Sequence, residues 1–181
     1  MIDLLPVKTL DQVEWLRVQR NNPAIYKYFR QDRPISQEQQ KLWWKDLSHQ
    51  RSRLFIVANS HDQVSGEWVG YAGFNPLNSY AQSAEFGIFI VPERQGNGFA
   101  EQAMELLLNH GFNSLHLRTI YSDCLEYPGE PSRFEFYGKL GFVAHPPEVQ
   151  TVRYKKQGKM IPSVKFYMSK NMYEERNVSQ K

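Results

Sequence analysis

The chain has 181 residues, a net charge of +3 and one cysteine, Cys124. That length fits one domain over 1–181 with a substantial core. The mild charge excludes the dense basic stripe of a nucleic-acid binder, and a lone cysteine excludes an internal disulfide framework or a cysteine-based zinc site. Met1-Ile2-Asp3-Leu4-Leu5-Pro6 has neither a basic segment nor a long apolar run, so no signal peptide is expected. No run reaches the length of a membrane span, and a cytoplasmic location is expected.

Thr9-Leu10-Asp11-Gln12 has the form of a capping box and starts a helix with Val13 and Leu16 inward. Asn21-Asn22-Pro23 interrupts it. A second box, Ser36-Gln37-Glu38-Gln39, opens another helix, with Leu42, Trp43 and Leu47 expected inward. Leu54 to Ala58 reads as a buried strand, Asn59 to Asp62 as a turn, Trp68 to Phe74 as the returning strand and Asn75 to Ser79 as a second turn. Ala84 to Val91 is a central strand. Gly98 to about Ser114 is a helix, with Phe99, Ala103, Leu106, Leu107 and Phe112 as core candidates and Gly111 as a cap or a tolerated interior glycine. A strand over Arg118–Leu125 and a short helix over Ser132–Leu140 follow, with Gly141 placed as its C′ residue. Strands at Val149–Tyr154 and Ser163–Met168 close the chain around Gly158. Strands and helices alternate only in the middle, which predicts a mixed-sheet α/β domain.

The most informative stretch runs from Phe86 to Ala100. An apolar strand ends at Pro92, a polar loop with Gly96 and Gly98 follows, and a helix begins. Free backbone N–H groups at a helix start bind an anion, most often phosphate. Gly96-Asn97-Gly98 lacks the third glycine of a dinucleotide fingerprint, and no Lys-Ser or Lys-Thr follows to make a triphosphate loop. Gln95-x-x-Gly98-x-Ala100 survives both tests. It resembles the Q/R-x-x-G-x-G/A loop of the GNAT superfamily of acetyl-CoA-dependent acyltransferases. Ala84-Glu85-Phe86-Gly87-Ile88-Phe89-Ile90 looks like the family's fourth strand, and Phe136-Tyr137-Gly138-Lys139-Leu140-Gly141-Phe142 looks like its helix end.

The resemblance implies a single GNAT domain, a twisted mixed sheet of about seven strands flanked by about four helices. It implies acetyl-CoA as cosubstrate, with the pyrophosphate on Gln95, Gly96, Asn97, Gly98, Phe99 and Ala100, flanked by Arg94. The pantetheine arm would pair along the central strand, and a backbone N–H near Phe89, Ile90 or Val91 would meet the acyl oxygen. Tyr137 becomes the proton donor to the thiolate. Glu85, a carboxylate opening an apolar strand, is the first candidate base, with Asp123, Glu126 or a water chain as competitors. The family's usual asparagine seven residues before the tyrosine is replaced here by Glu130, and Ser132 is the substitute considered.

Cys124 reads as a small core residue. The histidines, including His110 and His116, show no metal-ligand spacing, and no metal is assigned. Arg17 to Ile25 and Pro34 to Gln39 are similar to a pattern in aminosugar-nucleotide and ribosomal-protein N-acetyltransferases. Gln40 stands where the sugar branch often has histidine. Arg20, Tyr28 and Phe29 are the acceptor candidates, with Arg30 and Arg33 beside them. The expected activity is N-acetylation of a primary amine on a small molecule, an aminosugar nucleotide first. Alternatives are protein N-terminal acetylation and a coenzyme A-binding module without transfer. No nucleic-acid or membrane partner is expected, and the assembly is expected to be a monomer or homodimer.

Overall fold

Both predicted capping boxes close in the computed structural model, which describes residues 1–47, 53–60, 66–127, 133–145, 152–156 and 158–179. Thr9 Oγ1 accepts from the Gln12 amide at 3.2 Å, and the Thr9 amide donates to Gln12 Oε1 at 3.0 Å. They start helix α1 (Leu10–Asn21), which buries Val13 and Leu16. Asn22 ends it and caps α2 (Pro23–Tyr26) through its side chain. Ser36 and Gln39 exchange the same pair of bonds at the start of α3 (Gln37–Leu47). Trp43 turns inward as expected, Leu42 is exposed instead, and the Leu47 side chain lies outside the described residues. Gln40, Trp43 and Trp44 lie at i, i+3 and i+4 and turn in together. Gln40 is fully buried because its Nε2 satisfies the Val13 carbonyl at 3.1 Å.

The sheet has eight strands among the described residues, one more than expected, and six α-helices rather than four. Strands β1 (Ile2–Pro6), β2 (Arg53–Asn59), β3 (Glu67–Asn78) and β4 (Ser83–Ile90) form an antiparallel run. β5 (Thr119–Leu125) joins β4 in parallel. β8 (Lys159–Ser169) pairs antiparallel with β5 on one side, and with β6 (Val143–Ala144) and β7 (Val152–Lys156) on the other. Helices α4 (Phe99–Asn109), α5 (Phe134–Lys139) and α6 (Lys170–Ser179) complete the chain. β1, β6, α2 and α6 escaped the sequence reading. α6 presents few apolar residues, and Tyr173 anchors it by stacking on Phe112 at 4.8 Å. The turn expected at Asn75–Ser79 is also displaced. β3 runs through it to Asn78 with a register shift after Phe74, and the chain turns over residues 79–82 instead.

Strand period 2 divides β4 between two cores. Ala84, Phe86, Ile88 and Ile90 pack with α4, while Phe89 packs in a second cluster with Leu16, Ile25, Trp15 and Trp43 from the first three helices. Gly141 ends α5 as expected, at φ +85°. Its amide donates to Gly138 O and the Phe142 amide to Tyr137 O, both at 2.9 Å, the paired bonds of a Schellman cap.

α4 differs from expectation in one apolar position. Ala103, Met104, Leu107 and Leu108 face the core and Leu106 is exposed. The helix ends in a π turn over His110–Ser114 that carries Gly111. Gly111 is neither a cap nor a tolerated spare. A Cβ there would lie 2.6 Å from Ile120 Cδ1 and 2.8 Å from Phe74 Cζ, and both of those side chains are fully buried. Overpacking of this kind costs about 1–3 kcal/mol. Gly111→Ala is therefore expected to lower the free energy of unfolding by that amount, read as a lower urea midpoint with the m-value unchanged; an unshifted midpoint would show that the core yields there.

Candidate functional site

β4 and β5 are hydrogen-bonded only from Ser83–Glu85 to Thr119–Tyr121. Beyond that point β4 continues to Ile90 on β3 alone, and β5 continues to Leu125 on β8 alone. The strands part and leave a wedge through the sheet. Two cavities meet in it, of about 280 Å³ and 350 Å³, and both are lined by Tyr28, Phe29, Ile88, Arg133 and Tyr137.

The second cavity leads to the glycine loop and is also lined by Phe89, Ile90, Gln95 and Ala100. Gly96 and Gly98 have φ of +77° and +70°, a region in which glycine is free of Cβ strain. A Cβ at either would meet nothing closer than 3.9 Å, so packing does not explain the choice. Asn97 Nδ2 donates to Arg94 O at 3.0 Å and to Gln95 O at 3.2 Å, which occupies the loop's carbonyls. Gln95 Nε2 donates to Ile90 O at 2.9 Å and ties the loop to the end of β4. The amides of residues 96–100 donate to no protein acceptor among the described residues. This cluster of open donors at a helix start fits a pyrophosphate.

The side chains around the loop have partners of their own. Arg94 donates from Nε and Nη2 to Glu67 Oε1 at 2.9 and 2.7 Å, so its charge is already paired. Phe99 packs its ring against the main core, and the Val91 amide donates to Val69 O. Glu130 and Ser132 lie outside the described residues.

The first cavity holds the titratable groups. Glu85 and Gly87 of β4 and Asp123 of β5 line it, together with Phe86, Cys124 and Tyr137. Arg30 Nη2 donates to the Glu85 carboxylate, and Arg30 Nη1 lies 3.6 Å from Asp123 Oδ2. Lys165 Nζ is 4.0 Å from Asp123 Oδ1. Burial raises the Glu85 carboxyl above the ordinary carboxylate range; Arg30 pulls it down and Asp123 pushes it up. Glu126, a competing base, is absent from the lining of this cavity, whereas Asp123 shares it with Glu85.

Tyr137 is buried among Phe86, Phe136, Phe142 and Phe166. Burial, together with its hydrogen-bonded neighbour Cys124, raises its hydroxyl well above the ordinary tyrosine value. The Cys124 thiol is pushed up to about 11 by burial, which leaves no nucleophilic thiolate at neutral pH and agrees with a packing role.

The three acceptor candidates share this cleft. Phe29 packs edge-on to Phe89, with Arg20 Cζ 4.9 Å from its ring centroid. Tyr28 carries Arg133 Cζ at 4.0 Å from its ring centroid. The turn that bears them is held by the buried Lys156, whose Nζ donates to Tyr26 O and Phe29 O at 2.5 Å. Sequence reasoning missed Arg133, Tyr71 and Asn75 as cleft residues. Tyr71 and Asn75 lie on β3 and Arg133 at the start of α5, and no local pattern marks them.

Comparison with known proteins agrees with this geometry. Residues 2–143 match the model of the acetyltransferase (GNAT) domain family. Spermidine N(1)-acetyltransferase of Escherichia coli K12 is 32% identical over 123 residues, 67% of this chain and 62% of that protein. The match therefore spans less than two thirds of the relative's length. A spermidine N-acetyltransferase from Vibrio cholerae, solved in complex with CoA and spermine, superposes with a TM-score of 0.81 at 23% identity. It covers 96% of this chain and 98% of that one. A dodecameric structure of the Vibrio cholerae enzyme superposes at 0.77, with 23% identity and 97% of each chain covered. The chain belongs to the GNAT acetyltransferase domain family.

Proposed function

We propose that the protein moves the acetyl group of acetyl-CoA to the primary amine of a small molecule. One observation carries the reading. The parting of β4 and β5 joins a phosphate-type loop at one end to a carboxylate and a buried tyrosine at the other. Acetyl-CoA supplies an activated acyl thioester. The open amides of Gly96 to Ala100 hold its pyrophosphate, and the edge of β4 freed beyond Glu85 offers backbone partners to the pantetheine amides.

Glu85 and Asp123 receive the acceptor's ammonium, and Glu85 takes the protons it gives up. A carboxyl raised by burial is a stronger base than one in water, which suits that task. The C–N bond forms as the C–S bond breaks. Of the two protons that leave the ammonium, one passes to solvent and the other balances the proton gained by the thiol. Tyr137 holds the proton nearest the departing sulfur. With a thiol reference near 8.5 and a tyrosine reference near 10, full transfer in advance is uphill by about 2 kcal/mol. Burial of Tyr137 raises that further. Its hydroxyl therefore acts as a hydrogen-bond donor that gives up its proton only as the C–S bond opens.

For the acceptor, the clustering of Arg20, Tyr28 and Phe29 in the cleft with Glu85 supports an aminosugar nucleotide as the first reading. A polyamine is the second reading, favoured by the carboxylate pair Glu85 and Asp123 and by the relatives named above.

Thiol release from acetyl-CoA, screened against aminosugar nucleotides, polyamines, amino acids and N-terminal peptides, tests the transferase reading directly. Coenzyme binding with no release for any amine would sink it. Tyr137→Phe is expected to cut kcat at least tenfold with little change in the KM for acetyl-CoA, and unchanged turnover removes the assignment. In a pH–rate profile, activity rises with pH as Glu85 ionises, above the ordinary carboxylate range. Arg30→Met moves that limb to higher pH, because Arg30 holds the carboxyl down. Glu85→Gln abolishes the limb and lowers the rate by roughly 10²–10⁴-fold; a surviving limb assigns the base elsewhere.

A further inference from the structure

We infer that the acceptor carries an anionic oxygen group, carboxylate or phosphate, as well as its amine, and that the Arg20 guanidinium binds it. This rests on the transferase reading above and goes on to name the substrate's second recognition element.

Charge inside the cleft is unevenly shared. Its two carboxylates are already matched. Glu85 is paired with Arg30, and Asp123 lies within ion-pair distance of Arg30 and Lys165. Arg133 donates to Leu125 O, covers the Tyr28 ring and lies near enough to Glu126 to hold down its raised carboxyl. Arg20 has no such partner. It projects from the last turn of α1 into the cleft wall. Its Nη2 donates to the neutral Gln31 Oε1 at 2.8 Å, and its Nε is buried with no hydrogen-bond partner. Among the described residues it forms no ion pair. The residue is half-buried on the cavity wall, and burial lowers its pKa with no carboxylate beside it to offset the shift.

A native fold rarely leaves a guanidinium in that state, because an unmatched desolvated charge is costly. The group is held by Gln31 on one edge and the Phe29 ring on a face, so it is already oriented. The cavity that Arg20 lines also carries the neutral side chains Gln31, Gln40, Trp43, Tyr71 and Asn75, beside the charged groups already described. Tyr71 is pushed up to about 12 by burial and stays a neutral hydroxyl. A ligand anion here gains a charge-assisted bond at a site whose desolvation folding has already completed. The cleft thus holds, besides carboxylates that already have cations beside them, one arginine without an anion. A polyamine, cationic throughout, leaves that arginine unmatched.

The test is steady-state thiol release for wild type, Arg20→Gln and Arg20→Lys with three acceptor arms: a UDP-linked aminosugar, free amino acids and spermidine. One anionic arm is expected to be preferred over spermidine, and which of the two it is separates phosphate from carboxylate. Arg20→Gln should raise the KM for that acceptor by about tenfold or more, the usual loss for a hydrogen bond to a charged group. The KM for acetyl-CoA should stay near wild type, and Arg20→Lys should recover part of the effect. Preference for spermidine, with a KM that Arg20→Gln leaves unchanged, overturns this inference and leaves the transferase reading standing. If no amine is acetylated, the transferase reading fails instead. Thermal stabilisation by UDP and by N-acetylglycine then decides Arg20 separately: stabilisation of wild type but not of Arg20→Gln supports the anion site, and equal shifts overturn it.

Discussion

The hydrogen bonds that β4 and β5 do not make organise the rest of this molecule. A continuous sheet is a wall, since its paired backbone leaves no room for a ligand to pass from one face to the other. Here pairing stops at Glu85 and Tyr121 while both strands continue. The gap brings residues of opposite faces to one place: Glu85, Gly87 and Asp123 from the side of the first three helices, and Phe86, Cys124 and Tyr137 from the side of α4 and α5. It also leaves the later part of β4 with a free edge that points toward the loop at Gly96. The two cavities, the proposed chemistry and the direction from donor to acceptor all follow from that one departure from regular pairing.

Desolvation acts on five acids in and around the wedge in the same direction. Glu85, Tyr71, Tyr121, Cys124 and Tyr137 are all raised, with burial the leading cause in each. The consequences differ with the starting point. A carboxyl moved upward becomes a better base, whereas a phenol or thiol moved upward stays protonated and can only donate. One environment therefore suits Glu85 and Tyr137 to the opposite roles proposed for them. Arginine supplies the contrast: Arg30 stays charged against two carboxylates, while Arg20 bears the desolvation without a counter-ion.

What was legible in the chain was local. The capping boxes at Thr9 and Ser36, the glycine loop and the Gly141 cap each need only a few consecutive residues, and each formed as expected. Errors arose where a tertiary neighbour chooses the face. Leu42 and Leu106 are apolar and point outward because Gln40 and Met104 take the inward places on their helices. Gly111 looked expendable by propensity, but Phe74 of β3 and Ile120 of β5 crowd it once the sheet has formed. Arg94 sits beside the anion loop in sequence, yet Glu67 of β3 claims its charge.

By itself, the sequence determined that a strand, a glycine turn and a helix would follow one another with their donors open at one point, because φ > 0 at Gly96 and Gly98 and a helix start are properties of a few adjacent residues. It also placed Tyr137 one turn before a glycine cap. Only the tertiary structure decided how the charges are shared. Glu85, Asp123, Arg30 and Lys165 come from two strands, a turn and a third strand, and Arg20 meets Gln31 and Phe29 across a bend in the helical segment. Charge balance depends on distance and desolvation, and neither exists before the chain is folded.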